Sequence, residues 1–329
     1  MSESSSSPRE KLRLALVGCG RISHLHAERV SADNRAVIVA LFDPDPSAAQ
    51  SLRSGVAKSA IVCSSLETLL EAQFDAAVVA SPTHLHFEQA KVLMARGIPV
   101  LCEKPLARSR QEILDLIELS RNSGMLLSVA YQRRMSAAYR TIRGLVRSGK
   151  YGPVRAVVSH NVENWQSTIR GTWRNDPHMN PGGFVGDAGS HKIDAVFYVT
   201  GLLPAAVFAR TDCCGSRVEI VASVSALLTD GVPLTMDFVG HAQHFSELLS
   251  VHCAQADLVL RDGDIWRASG SHSERVALAE ADSNPITAFL DSMLNGAENV
   301  APAECALPVF DFTQALLESA RLGSSVVIG

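Results

Sequence analysis

The chain has 329 residues, 47% hydrophobic and 19% charged, with a net charge of −4. That length exceeds one ordinary core and fits two domains, and the composition is that of a globular protein rather than a disordered or fibrous one. The charge leaves no footprint for a nucleic acid or an anionic membrane, and no apolar run reaches the ~18 residues that span a bilayer.

The opening "MSESSSSPRE" is polar and Ser-rich without an apolar stretch, so residues 1–10 read as a loose tail and not a signal peptide. Seven cysteines, an odd number without C-x-x-C spacing, point to reduced thiols and a cytoplasmic setting. The adjacent Cys213 and Cys214 read as small buried residues, with no matching pair to complete a metal site.

Over residues 11–131, short apolar runs alternate with amphipathic segments. "LRLALV" (12–17), "VIVALF" (37–42), "DAAVVA" (75–80), "PVLC" (99–102) and "LLSVA" (126–130) read as buried strands, with "SAIVC" (59–63) a weaker one. Their near-continuous apolarity is that of a parallel sheet covered on both faces. Helices are expected near 21–31, 46–54, 65–72, 84–96 and 109–123, the last capped by Ser109 with Glu112 and followed by Gly124. Repeated strand–helix units predict an α/β, doubly wound parallel sheet.

The first strand–helix junction, "LALVGCGRISHLHAERV", places Gly18 and Gly20 where a tight turn must approach a pyrophosphate without a Cβ. The amides of Gly20, Arg21 and Ile22 then open a helix whose N-terminus attracts phosphate. Ser23 stands at the third position of the pattern, where glycine or alanine is usual. Asp43, at the end of the second strand, is placed to receive the adenosine ribose hydroxyls. A carboxylate there repels a 2′-phosphate and "DPDP" has no adjacent arginine, which favours NAD over NADP.

"VVASPTHLHFEQAKVLMARGIPVLCEKPLA" resembles the segment written "TPNxxHxxxAxxALxxGKHVxxEKPLA" in the glucose–fructose oxidoreductase, inositol dehydrogenase and rhizopine-catabolism (Gfo/Idh/MocA) family. Ser81, Pro82, Thr83, His86, Ala90, Gly97, Glu103, Lys104, Pro105 and Leu106 fall in register. A second stretch, "WRNDPHMNPGGFVGDAGSHKID", is similar to the family's later motif and begins at Trp173 and Arg174. Thr83 replaces the usual Asn, and Phe184 a common third glycine. The resemblance implies an NAD(P)-dependent oxidoreductase acting on a sugar, cyclitol or related polyol. It implies cofactor contacts from Ser81, Pro82, Thr83, His86, Glu103 and Lys104. It also implies that Lys104, Asp187 and His191 surround the reacting hydroxyl.

Spacing supports that set. In "FVGDAGSHKIDAVFYV" the apolar positions fit one buried helix, Asp187 and His191 are i,i+4 on one face, and Asp194 continues that face at i+7. Gly189 lowers helix propensity there, which predicts close approach of a ligand or another backbone. Alcohol oxidation needs a base for the hydroxyl proton and a group to stabilise alkoxide character. His191 suits the base, with Lys104 on the oxygen and Asp187 orienting substrate and imidazole; a lysine made less basic by burial is the alternative proton carrier. Trp173, Arg174 and Gln132 are further substrate candidates.

Residues 132–329 read as an α+β domain with a large, mostly antiparallel sheet. One helix is expected to end at Gly149, with strands at 154–165, 204–211, 218–228, 233–241, 247–253 and 257–261 and helices at 286–295 and about 307–323. On the strand at 154–165, His160 and Asn161 face opposite ways, and the sequence does not say which side serves a ligand. Arg133, Arg134, Arg140, Arg143 and Arg147 read as a solvated helix face. The histidine pairs 24/26 and 84/86 lack metal-ligand partners, so no metal is expected. The resemblance implies a homodimer or homotetramer through the large sheet. A non-catalytic dinucleotide-binding regulator of the same fold would need the glycine turn and Asp43, but not Lys104, Asp187 and His191 together.

Overall fold

The computed structural model describes residues 11–329; the tail expected over residues 1–10 lies outside the described residues. The chain divides into two compact units, the first formed by residues through Leu106, Asp115–Ala130 and Asn284–Asn299, the second by Ala107–Leu114, Tyr131–Ser283 and Val300–Gly329.

In the first unit, β1 (Leu12–Val17), α1 (Arg21–Ala32), β2 (Ala36–Phe42), α2 (Pro46–Gly55), β3 (Ile61–Cys63), α3 (Leu66–Glu71), β4 (Ala76–Val79), α4 (Thr83–Ala95), β5 (Val100–Cys102), α5 (Arg110–Ser123) and β6 (Leu127–Val129) follow in turn. The strands form one sheet in the order β3-β2-β1-β4-β5-β6, every pairing parallel. This is the doubly wound order whose reversal point lies beside β1. Leu14, Leu16, Val78 and Leu101 are wholly buried, which is why these strands are apolar on both faces. A late helix, Pro285–Asn295, adds Ile286, Phe289 and Leu290 to the same core. Arg35 holds it by an ion pair to Asp291, and Asn299 donates to the Leu127 carbonyl at 2.9 Å.

In the second unit the start of α5 carries the anticipated cap: Glu112 N–H donates to Ser109 Oγ at 3.1 Å, and Glu112 Oε2 accepts from the amides of Arg108 and Ser109. Next come α6 (Ala137–Arg147), β7 (Val154–Val162), α7 (Trp165–Ile169), α8 (Gly183–Gly186) and α9 (Ser190–Thr200). Strands β8 (Pro204–Asp212), β9 (Val221–Leu228), β10 (Pro233–Val239), β11 (Ser246–Cys253), β12 (Asp257–Arg261), β13 (Asp264–Ser269) and β14 (His272–Val276) follow. The late helix of the first unit is α10, and α11 (Ala306–Leu322) and β15 (Val326–Val327) close the chain.

Nine strands form one sheet in the order β14-β13-β12-β11-β7-β10-β9-β8-β15, antiparallel except for β7 beside β10. Strict alternation along β9 buries Ala222, Val224, Ala226 and Leu228 and exposes Ser223, Ser225 and Leu227. The open face runs in register from Phe208 through Ser225, Thr235, Val158 and Val259 to Trp266. His160 belongs to this open face with Asp237, whereas Asn161 and Trp165 are buried on the other side.

The strand expected over 154–165 ends at Val162 and gives way to α7 at Trp165, and other features differ from the sequence reading as well. The β13–β14 hairpin has no signal because Ile265 is its only fully buried residue. β9 begins at Val221 rather than 218, because the Glu219 carbonyl is taken by the Phe184 amide at 2.7 Å. The arginines 133, 134 and 140 are largely buried and paired with Glu247, Asp194 and Glu280, not solvated. Tyr198 lies under the guanidinium groups of Arg134 and Arg143.

Candidate active site

The glycine turn of the first unit is held from three sides. Gly18 has φ +88°, its amide donates to Phe42 O at 2.8 Å, and a Cβ on it would stand 2.5 Å from the Ser81 amide nitrogen. Only glycine fits that approach between the ends of β1 and β4. Ser23 is wholly buried and donates its hydroxyl to the Gly18 carbonyl at 2.6 Å. The departure at the third motif position is thus a built hydrogen bond, which spacing alone gave no means of finding.

A Cβ on Gly20 would meet nothing within 4 Å, and no side chain caps α1. Open space in front of uncapped first-turn amides fits the pyrophosphate of a dinucleotide. Asp43 accepts from the Cys19 amide at 2.7 Å and, through its other oxygen, from the Asp45 amide at 2.8 Å. Each oxygen retains a second lone pair, so the carboxylate suits ribose hydroxyls while it ties the turn to β2. Asp45 caps α2 through the Ser47 amide.

Pro82 and Thr83 open α4, and Ser81 donates its hydroxyl to Gln89 at 2.6 Å. His86 is buried, with Nδ1 and Nε2 each 2.8 Å from a main-chain carbonyl, those of Pro105 and Ser81. It links the exit of β4 to the "EKP" corner. Glu103 and Lys104 follow β5, and the Lys104–Pro105 peptide is cis.

In the second unit, Asp187 and His191 do not share one continuous helix, which corrects the i,i+4 reading. α8 ends at Gly186, Asp187 has φ −87° and ψ −86°, and α9 starts at Ser190. The cause is the "PGG" stretch. Gly183 has φ +50°, and a Cβ there would lie 2.3 Å from Glu219 O, so α8 is pinned to the main chain of the large sheet. Gly189 in turn backs onto the Val185 main chain: the close neighbour is backbone. Phe184, at the position of the missing glycine, is a core plug against Trp165 and Phe238. Asp194 is buried in a two-pronged pair with Arg134 at 2.8–3.0 Å and serves packing.

Asp187 is 6% exposed, and its Oδ2 accepts from Arg174 Nε at 2.7 Å. The Arg174 guanidinium lies 4.4 Å from the Trp173 ring, and Asn180 Nδ2 donates to the Arg174 carbonyl. Two sequence candidates are thereby joined to a third. His191 stands half-buried on the first turn of α9, edge-on to the buried Tyr131 ring with centroids 6.0 Å apart. Gln132 lies in a short turn after Tyr131 and is half-buried. Next to His191, buried Lys192 pairs with Glu247, which also takes Arg133 at 2.5 Å. Sequence spacing gave no signal for this triad. Among the described residues no group of three His, Cys, Asp or Glu could hold a metal ion.

The profile described as "Oxidoreductase family, NAD-binding Rossmann fold" matches residues 12–131, and the Gfo/Idh/MocA C-terminal domain matches residues 139–259. The chain belongs to the Gfo/Idh/MocA family. It is 32% identical over 164 residues to an inositol 2-dehydrogenase of Acidothermus cellulolyticus, covering 49% of this chain and 48% of that one. It is 28% identical over 206 residues to a D-glucoside 3-dehydrogenase of Escherichia coli, covering 61% and 56%. The chain spans about half the length of the curated relatives it matches. Among solved structures, the WlbA dehydrogenase of Bordetella pertussis, in complex with NADH and UDP-GlcNAcA, superposes with a TM-score of 0.83. At 20% identity over 98% of this chain and 99% of that one, this likeness shows a shared fold.

Proposed function

We propose that the chain is an NAD-dependent dehydrogenase that moves a hydride between nicotinamide and a CH–OH carbon of a sugar, cyclitol or related polyol. The observation that carries this reading is the buried Asp187 carboxylate, paired with Arg174 and followed by the half-exposed His191, in a family member with an intact dinucleotide turn. The names of the two relatives, an inositol and a glucoside dehydrogenase, support the polyol class.

Gly18, Gly20, the amides of Arg21 and Ile22, and Asp43 would hold the dinucleotide, with Ser81, Pro82 and Thr83 at the neighbouring β4 exit, which the buried His86 braces. Bound NAD supplies the hydride acceptor. His191 takes or returns the hydroxyl proton, Lys104 hydrogen-bonds the oxygen as a cation, and Asp187 orients the polyol. The Arg174 Nε–H, 2.7 Å from Asp187 Oδ2, holds the carboxylate in place for that role. Trp173 and Gln132 remain the candidate walls for the substrate. NAD is preferred over NADP because Asp43 opposes a 2′-phosphate.

The open face of the nine-stranded sheet, with Phe208 37%, Leu227 47% and Trp266 41% exposed, is proposed to pair with a second copy in a homodimer or homotetramer. A cytoplasmic setting is supported by seven cysteines with free thiols; among the described residues no helix is long and apolar enough to cross a membrane.

A screen for NADH formation across sugars, inositols and sugar acids, with NADP in parallel, tests the reading. A turned-over substrate is expected, and Lys104→Met should lower kcat by about 10²–10⁴-fold. Silence across the panel with tight NAD binding by calorimetry would favour the regulator. Near-normal turnover by Lys104→Met would overturn the site assignment.

A further inference from the structure

Glu103 and Lys104 leave β5 side by side, yet the first unit gives Glu103 work of its own. Its side chain is 10% exposed and both oxygens are engaged: Oε1 lies 2.8 Å from His26 Nε2, and Oε2 accepts the Lys104 main-chain N–H at 3.1 Å. The Glu103 amide donates to Val79 O at 2.8 Å, which carries the β4–β5 pairing one residue past the strands. His26 is wholly buried on the second turn of α1.

A carboxylate can only accept, so Nε2 carries the ring proton. His26 Nδ1 is buried with no hydrogen-bond partner among the described residues. Burial pushes the Glu103 carboxyl up, but the His26 contact and then Lys104 bring it below the usual carboxylate range. The carboxylate is therefore a stable acceptor for both donors.

We infer that Glu103 is not a cofactor ligand, and that Glu103 and His26 are a positioning pair for Lys104. Glu103 is nine-tenths buried with both oxygens held by protein donors, which leaves little of it for a dinucleotide. What it does hold is the amide of the lysine. The helix whose first turn opens the phosphate loop also carries His26, so a continuous hydrogen-bonded line runs from that helix through Glu103 to Lys104. A displacement of the amine by even 1 Å is costly to a reaction that depends on it.

This inference rests on the proposed function only in taking Lys104 as a site residue, and its test has a readout independent of turnover. Lysines are isotope-labelled by reductive methylation, and the Lys104 signal is assigned by its loss in Lys104→Met. His26→Leu and Glu103→Gln should each shift the Lys104 signal. NAD affinity by calorimetry should change by less than about three-fold. With a substrate from the screen, kcat should fall about ten- to a hundred-fold while KM for NAD holds. His26→Gln, which keeps a donor of similar reach, should recover most of both signals.

If His26→Leu does not fold, Glu103→Gln carries the same comparison. An unmoved Lys104 signal in folded variants, or a loss of NAD affinity above about ten-fold, would overturn the inference. A Lys104→Met enzyme that keeps its turnover would sink the catalytic assignment instead, and the spectrum still decides the positioning pair.

Discussion

Asp43 carries two loads at the residue scale, because its carboxylate both suits a ribose and anchors the Cys19 and Asp45 amides. Removing it with alanine therefore mixes loss of the turn with loss of a ligand. Asp43→Asn is the cleaner variant: it keeps one accepting oxygen and removes the charge that repels a 2′-phosphate. Calorimetry should show NAD binding weakened about ten- to 150-fold, as for a lost charged hydrogen bond, with NADP affected less. Equal losses would remove the case for NAD preference. The glycines and Asp43 were legible because their spacing follows strand and helix periods. Ser23 to Gly18, His26 to Glu103 and Arg174 to Asp187 were not, because side-chain partners depend on how elements pack.

At the scale of elements, the segment around Asp187 shows where periodicity misleads. Its apolar positions suit a single helix, and both pieces are helical, but Gly183 pressed on the Glu219 main chain forces a break that no side-chain pattern encodes. Asp187 thus sits at a joint and α9 is free to serve the core. Asp194 on α9 is held by Arg134, which also donates to Val300 O. Asp194→Ala would strand a largely buried guanidinium and should lower the unfolding free energy by about 3–5 kcal/mol, read from urea melts. A loss below about 1 kcal/mol would mean that Arg134 finds another partner or water. The parallel sheet was legible because strands buried on both faces are apolar throughout. The β13–β14 hairpin was hidden because an edge with little to bury has no such pattern.

For the whole molecule, the large sheet poses a question of company. One face is covered within its own unit, and the other displays an in-register band from Phe208 to Trp266. Sedimentation at micromolar concentration should report a dimer or tetramer. Placing charges in the band with Phe208→Asp and Leu227→Asp should raise the dissociation constant at least about ten-fold, since unpaired charges buried at an interface are costly. A monomeric native protein would end that reading.

Helix α10 has a consequence in time. Ile286, Phe289 and Leu290 complete a core whose strands all come before residue 130. A ribosome adding roughly 5–20 residues per second takes on the order of ten to thirty seconds to travel from β6 to the end of α10. Through that interval the strands have been synthesised but a flank of their core is bare, so the dinucleotide-binding unit, first to be started, is complete only after all of the second unit except Val300–Gly329 has been made.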